Sequence, residues 1–120
     1  MVGKVNLAEK LSLFSDHYNP RIVGEVNESY VKLVKLKGEF IWHHHEIEDE
    51  LFMVVKGTLR MKFRDREAVI REGEFIIVPH GEEHLPVADE EVHILLIEPT
   101  DTLNTGNIAN EITVHHPERL

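Results

Sequence analysis

Gly38-Glu-Phe-Ile-Trp-His-His-His-Glu-Ile-Glu-Asp-Glu-Leu-Phe-Met-Val-Val-Lys-Gly57 is the stretch on which the reading of this chain turns. His43 and His45 are separated by one residue, and on a β-strand such side chains project from the same face. Glu50 follows an acidic break, and an apolar run then closes at Gly57. Downstream, Gly73-Glu-Phe-Ile-Ile-Val-Pro-His-Gly-Glu-Glu-His84 brings a third imidazole behind a turn at Pro79 and Gly81. Three histidines and one carboxylate from two strand-turn elements form a donor set for a divalent transition metal, with Fe, Mn, Ni, Zn, Co and Cu all acceptable. The rest of the chain reads as the container for that set.

Outward from this stretch the pattern is that of short strands. Ile22 to Val26 and Tyr30 to Leu36 precede it, with a break at Asn27-Glu28. In the second run Val31, Leu33 and Lys35 face one way, and Lys32, Val34 and Leu36 the other. Phe40 to His45 reads as the ligand strand, followed by Leu51 to Val55 and, after Gly57, Leu59 to Arg64. Leu59, Met61 and Phe63 alternate with polar partners, so one face of that strand is predicted to be buried. Asp65-Arg66 connects to Glu67 to Ile70, Glu72-Gly73 turns into Phe75 to Val78, and Val87 with Val92 to Ile97 gives the last strand before Pro99. Such spacing, punctuated by glycine turns, indicates an all-β sandwich or barrel.

The ends differ. Asn6 is placed to cap a short helix over Leu7 to Phe14, with Glu9 completing a capping box. Thr100 to Asn110 is polar and turn-rich, and Ile112 to His115 reads as a final strand, within the fold or across a dimer. The 120 residues are expected to make one domain, with a barrel core about 21–99 and a tail 100–120.

Composition excludes several function classes. A net charge of −9 argues against nucleic acid, whose phosphates need clustered Lys and Arg. Without cysteine, neither a disulfide scaffold nor a thiolate metal site can form. No apolar run approaches a membrane span, and Met1 to Lys10 shows no apolar leader core. A cytoplasmic location is expected.

The two histidine-bearing segments resemble the two motifs of the cupin superfamily. In the first, glycine precedes His-x-His, followed by glutamate and, six residues on, glycine; Gly38, His43, His45, Glu50 and Gly57 stand in those places, with the leading glycine one residue closer. In the second, glycine, Pro-x-Gly, histidine and asparagine follow in order; Gly73, Pro79, Gly81 and His84 match, and Ala88 stands where the asparagine would be. The resemblance implies a cupin-type double-stranded β-helix, a jelly-roll barrel. It also implies a metal held by His43, His45, Glu50 and His84, and a homodimer.

That alignment sets the register of the histidine run. Pairing His44 with Glu46 spoils the spacing to Glu50 and Gly57, so His44 is placed on the opposite face. The spacing to Gly57 likewise selects Glu50 over Asp49, which is left to orient an imidazole or bond local backbone. His80 is expected at the mouth and exposed, and His93 is a candidate for the cavity. Phe40, Trp42, Phe52, Met53, Phe63 and Phe75 are read as core first, and Lys32, Arg60 and Lys62 as solvated.

Three readings of function follow. The first is a metal-dependent enzyme acting on a small organic molecule by oxygenation or isomerisation, with Glu50 as ligand and candidate acid/base. The second is a barrel that binds or senses a small molecule without turnover, and the third a barrel that the metal only pins. A second titratable group near the open coordination position would favour the enzyme; His93, Glu82, Glu83 and Tyr30 are the candidates.

Overall fold

The computed structural model describes residues 3–120; Met1 and Val2, where the reading for a leader begins, lie outside the described residues. Helix α1 (Leu7–Leu11) starts at Asn6, whose side chain accepts a hydrogen bond from the Glu9 N–H at 3.0 Å. It is shorter than expected, because the Ser12 N–H and hydroxyl close the last turn on Ala8 and Glu9 carbonyls. Leu11 and Phe14 still pack together, against Val23 and Leu33.

Seven strands follow: β1 (Arg21–Val26), β2 (Ser29–Glu39), β3 (Glu50–Lys56), β4 (Thr58–Phe63), β5 (Glu67–Arg71), β6 (Phe75–Val78) and β7 (His84–Pro99). The β1–β2 hairpin turns at Asn27, whose φ of +52° suits asparagine. Strand β7 organises the rest. It pairs antiparallel with β2, then with β3 along His93 to Ile97 and with β4 along His84 to Val87. The main order is β1-β2-β7-β3-β6, and β4 carries β5 on its far side. Because one strand belongs to both arms, the sheet wraps around its own apolar face, as the jelly-roll expectation requires.

The interior is filled by every second residue of the strands. Val34 and Leu36, Phe52 and Val54, Leu59, Met61 and Phe63, and Val92, Ile94 and Leu96 meet there. Each such side chain contributes about 1.5–3 kcal/mol by leaving water. The opposite face of β2, through Val31 and Leu33, packs under α1 instead.

Three expectations are corrected. Phe40 to His45 is not a regular strand: β2 ends at Glu39 after a register shift between Leu36 and Gly38, and His43 joins only an isolated bridge to His84. Gly38, at φ +83°, gives the bend that no β-branched residue would tolerate. Ile112 to His115 is not a strand either. Asn110, Thr113 and Asn104 side chains take up the backbone N–H groups of Ile112, Asn110 and Val114, so local turns replace the ladder. Phe75 is 59% exposed on the outer face of β6, rather than in the core.

Candidate metal centre

Each of the four sequence-selected side chains reaches the centre from a different part of the backbone. His84 opens β7, Glu50 opens β3, and His43 and His45 lie on the irregular segment between β2 and β3. The His43 N–H donates to the His84 carbonyl at 3.1 Å and the His84 N–H to the His43 carbonyl at 2.9 Å. This reciprocal bridge sets the two imidazole centroids 4.3 Å apart. His45 is fixed by its own carbonyl, which accepts from the Gly81 N–H at 2.7 Å. The Pro79–Gly81 turn thereby ties the second motif to the first.

All four residues are buried, and one donor atom from each lies within 4.8 Å of all the others. Such a cluster could hold a metal ion. Two of the three imidazoles are presented in the required tautomer. His43 Nδ1 faces the Ile41 carbonyl and His84 Nδ1 the Glu82 carbonyl, both at 2.9 Å. A carbonyl only accepts, so each Nδ1 carries the proton and each Nε2 keeps its lone pair. His45 Nε2 lies 2.7 Å and His84 Nε2 3.4 Å from Glu50 Oε1. Despite that proximity all three atoms are buried without a hydrogen-bond partner of good geometry. Converging, unsatisfied donors explain themselves if a cation sits among them.

The electrostatics agree. Burial foremost, with the neighbouring His84, pushes the His43 imidazole down to about 4, keeping it neutral. For Glu50, burial alone would raise the carboxyl, but the closeness of Glu98, His45 and His84 outweighs it and holds the group well below the usual range. A neutral imidazole and an ionised carboxylate are the ligating forms.

His43 and Glu50 also line a small cavity of about 40 Å³ that is partly open to solvent. Its walls are apolar: Pro20, Val34, Leu36, Phe52, Pro86 and Leu96. Phe40 stacks on Tyr18, with ring centroids 4.9 Å apart, and meets His43 edge-on. Phe40 and Phe52 thus both serve the cavity, whereas Trp42 lies under the Arg64 guanidinium at 3.9 Å.

Other candidates fall elsewhere. His44 is half-buried on the other side and pairs with Glu46. Asp49 accepts from the His80 N–H and contacts its ring, both at 2.9 Å, so it braces the turn rather than a ligand imidazole. His80 is exposed. His93 points away from the interior, with its ring against Glu91, which His17 contacts as well. Neither His93, Glu82, Glu83 nor Tyr30 lines the cavity.

Sequence reasoning missed Lys32 and Glu98. Lys32 is 2% exposed inside the barrel, its ammonium 2.8 Å from Glu98 Oε1. Glu98 is equally buried and lines the cavity. Burial foremost, then the Glu50 charge, pushes its carboxyl well above the usual range, with Lys32 opposing. The signal was present in the alternation: Lys32 shares a face with Val34 and Leu36, and Glu98 with Ile94 and Leu96. The tail was missed too. Gly106 packs so closely on His44 that a Cβ there would collide with the His44 carbonyl oxygen.

Comparison with known proteins agrees with this architecture. The Cupin domain family matches residues 30–98, more than half of the chain, and the protein belongs to that family. A cupin-2 domain containing protein from Shewanella frigidimarina is 46% identical in sequence, with a TM-score of 0.78 over 79% of this chain and 93% of that one. The crystal structure of a Neisseria meningitidis protein is 30% identical, with a TM-score of 0.75 over 82% of this chain and all of the other. The uncharacterized protein YdbB of Bacillus subtilis is 41% identical over 63 residues, 52% of this chain and 56% of that protein's length. Among the described residues no helix is long and apolar enough to cross a membrane.

Proposed function

We propose that this cupin is a metal-dependent enzyme that oxygenates or isomerises a small, largely apolar organic molecule. His43, His45, Glu50 and His84 hold one divalent transition metal, and the substrate enters the cavity beside them. The observation that carries this reading is the placement of His43 and Glu50: both belong to the donor cluster and both line the apolar cavity. A metal there supplies Lewis acidity, or dioxygen chemistry if it is iron. The chain's own groups supply the rest. The Ile41 and Glu82 carbonyls hold two imidazoles in the ligating tautomer. The Phe40, Phe52 and Leu96 walls exclude water, and Glu50 is the candidate acid/base. Iron(II) reconstitution under argon followed by nitric oxide, a dioxygen surrogate, tests the reading. A nitrosyl absorption band at one iron per chain together with turnover of a small aromatic alcohol supports it, and full iron without that band contradicts it.

One observation favours a second reading, a binding or sensing barrel without turnover. His93, Glu82, Glu83 and Tyr30 do not reach the cavity, and the one further carboxyl that does, Glu98, is engaged by Lys32. Iron-loaded protein that binds nitric oxide and small aromatic alcohols, yet consumes neither oxygen nor ligand, would support that alternative.

We also infer a homodimer. Strand β6 pairs only with β3 among the described residues, and its sequence Phe75-Ile76-Ile77-Val78 carries no charge to deter pairing. Phe75 and Ile77 are 59% and 53% exposed, so a second copy laid edge to edge along β6 would cover both. The tail carries no strand to cross over, which moves the expected contact from the tail to β6.

A further inference from the structure

The cavity has few polar groups, and nearly all are engaged. The Tyr18 hydroxyl donates to the Gly38 carbonyl at 2.7 Å. Asn104 donates through Nδ2 to the Ile112 carbonyl and accepts through Oδ1 from the Val114 N–H. His43 and Glu50 belong to the metal cluster. What remains is Glu98 Oε2, buried on a side chain that lines the cavity, beside the Glu50 carboxyl and with no protein N–H or hydroxyl donating to it.

Glu98 is a costly residue to bury. Its other oxygen meets Lys32 Nζ at 2.8 Å, and both residues are 2% exposed. Taking two charges out of water is costly, and well-packed apolar residues do as well or better in such positions. The Lys32 ammonium does, however, fix one oxygen of the carboxyl, leaving the other at a set place beside Glu50. A buried polar atom with no partner calls for one.

We propose that Glu98 is a ligand-anchoring residue, its Oε2 hydrogen-bonding a hydroxyl of a small molecule whose neighbouring oxygen sits at the metal; this rests on the metal-site reading above. The substrate class is therefore a compact organic molecule with two adjacent oxygen functions, at least one of them a hydroxyl, on an apolar body. A hydroxyl is the group that suits Oε2 in either state, since it donates to a carboxylate and accepts from a carboxylic acid. The apolar body fits the walls made by Val34, Leu36, Phe40 and Phe52. Lys32 acts through Glu98 and is a positioning residue.

The test uses the full chain loaded with zinc, which is redox-inert, and compares the affinities of catechol and 2-methoxyphenol by calorimetry. Catechol is expected to bind at least about tenfold more tightly, the usual cost of leaving a buried polar group unpaired. In Lys32→Met/Glu98→Leu, which replaces the buried pair with apolar side chains, the ratio is expected to fall to within about twofold. Glu98→Gln should lie between the two, and it carries the test alone if the double variant does not fold. A ratio unchanged in the folded variants, or absent from the wild type, overturns the proposal. Zinc stoichiometry keeps the two readings apart. If the wild type takes up no zinc, the metal reading fails, and phenol against anisole then tests Glu98 by itself. Preference for phenol in the wild type that the variants lose supports the anchor, and equal binding overturns it.

Discussion

Asn107 and His44 are joined by two reciprocal hydrogen bonds: the Asn107 N–H donates to the His44 carbonyl, and the His44 N–H to Asn107 Oδ1, both at 2.9 Å. His44 is the residue between two members of the candidate donor cluster, and its segment has no strand ladder to hold it. The tail supplies what the ladder would have supplied. Asn107→Ala is expected to weaken metal binding by about 10- to 100-fold, as loss of an outer support does. Competition with a chelator of known affinity measures this. Gly106→Ala should be worse, because its Cβ would meet the His44 carbonyl and come within 3.0 Å of His43 Cδ2.

His45→Ala and His84→Ala should each lower metal occupancy and abolish the rise in melting temperature on adding metal. Binding to the folded state alone stabilises through mass action, by about 2.7 kcal/mol at a hundredfold excess over Kd. Scanning calorimetry with and without zinc reads the effect. Both variants keeping the full zinc-dependent rise would refute the ligand assignment.

Acid should destabilise the metal-free protein over a defined window. His43 is depressed from 6.5 to about 4 in the fold. Between those values the unfolded chain binds the proton and the folded one does not, so stability falls as pH drops through the window. His43→Gln should flatten that slope. Metal should also leave in the same direction, since imidazoles must be neutral to coordinate.

Phe75→Lys/Ile77→Glu places charges on the outer face of β6. If two copies pair along that edge, sedimentation equilibrium at micromolar protein should show a dimeric wild type and a monomeric variant, with the barrel's circular dichroism retained. A monomeric wild type would remove the dimer.

Much of the fold could be read from the chain because its strands obey the period of two. Leu59, Met61 and Phe63 on β4 needed no other information to be placed inside. The same rule, followed strictly, would have put Lys32 and Glu98 inside as well. The prior that lysine and glutamate belong in water overrode it, and the ion pair between them is the physical reason it failed. Of the site, the four clustered residues were legible from their match to the two cupin motifs. Tertiary supports were not: nothing local marks Asn107 as the clamp on His44 or Tyr18 as the ring that stacks on Phe40. Phe75 was misplaced because an apolar residue on an edge strand looks, in sequence, like one in the core.

The most direct test counts metal. Untagged protein, purified without chelator and then offered iron, manganese, nickel, zinc, cobalt and copper, is analysed for bound element per chain beside His84→Ala. The account predicts close to one transition metal per wild-type chain and little in the variant. A wild type that takes up none of them, or a variant that binds as much, would contradict it.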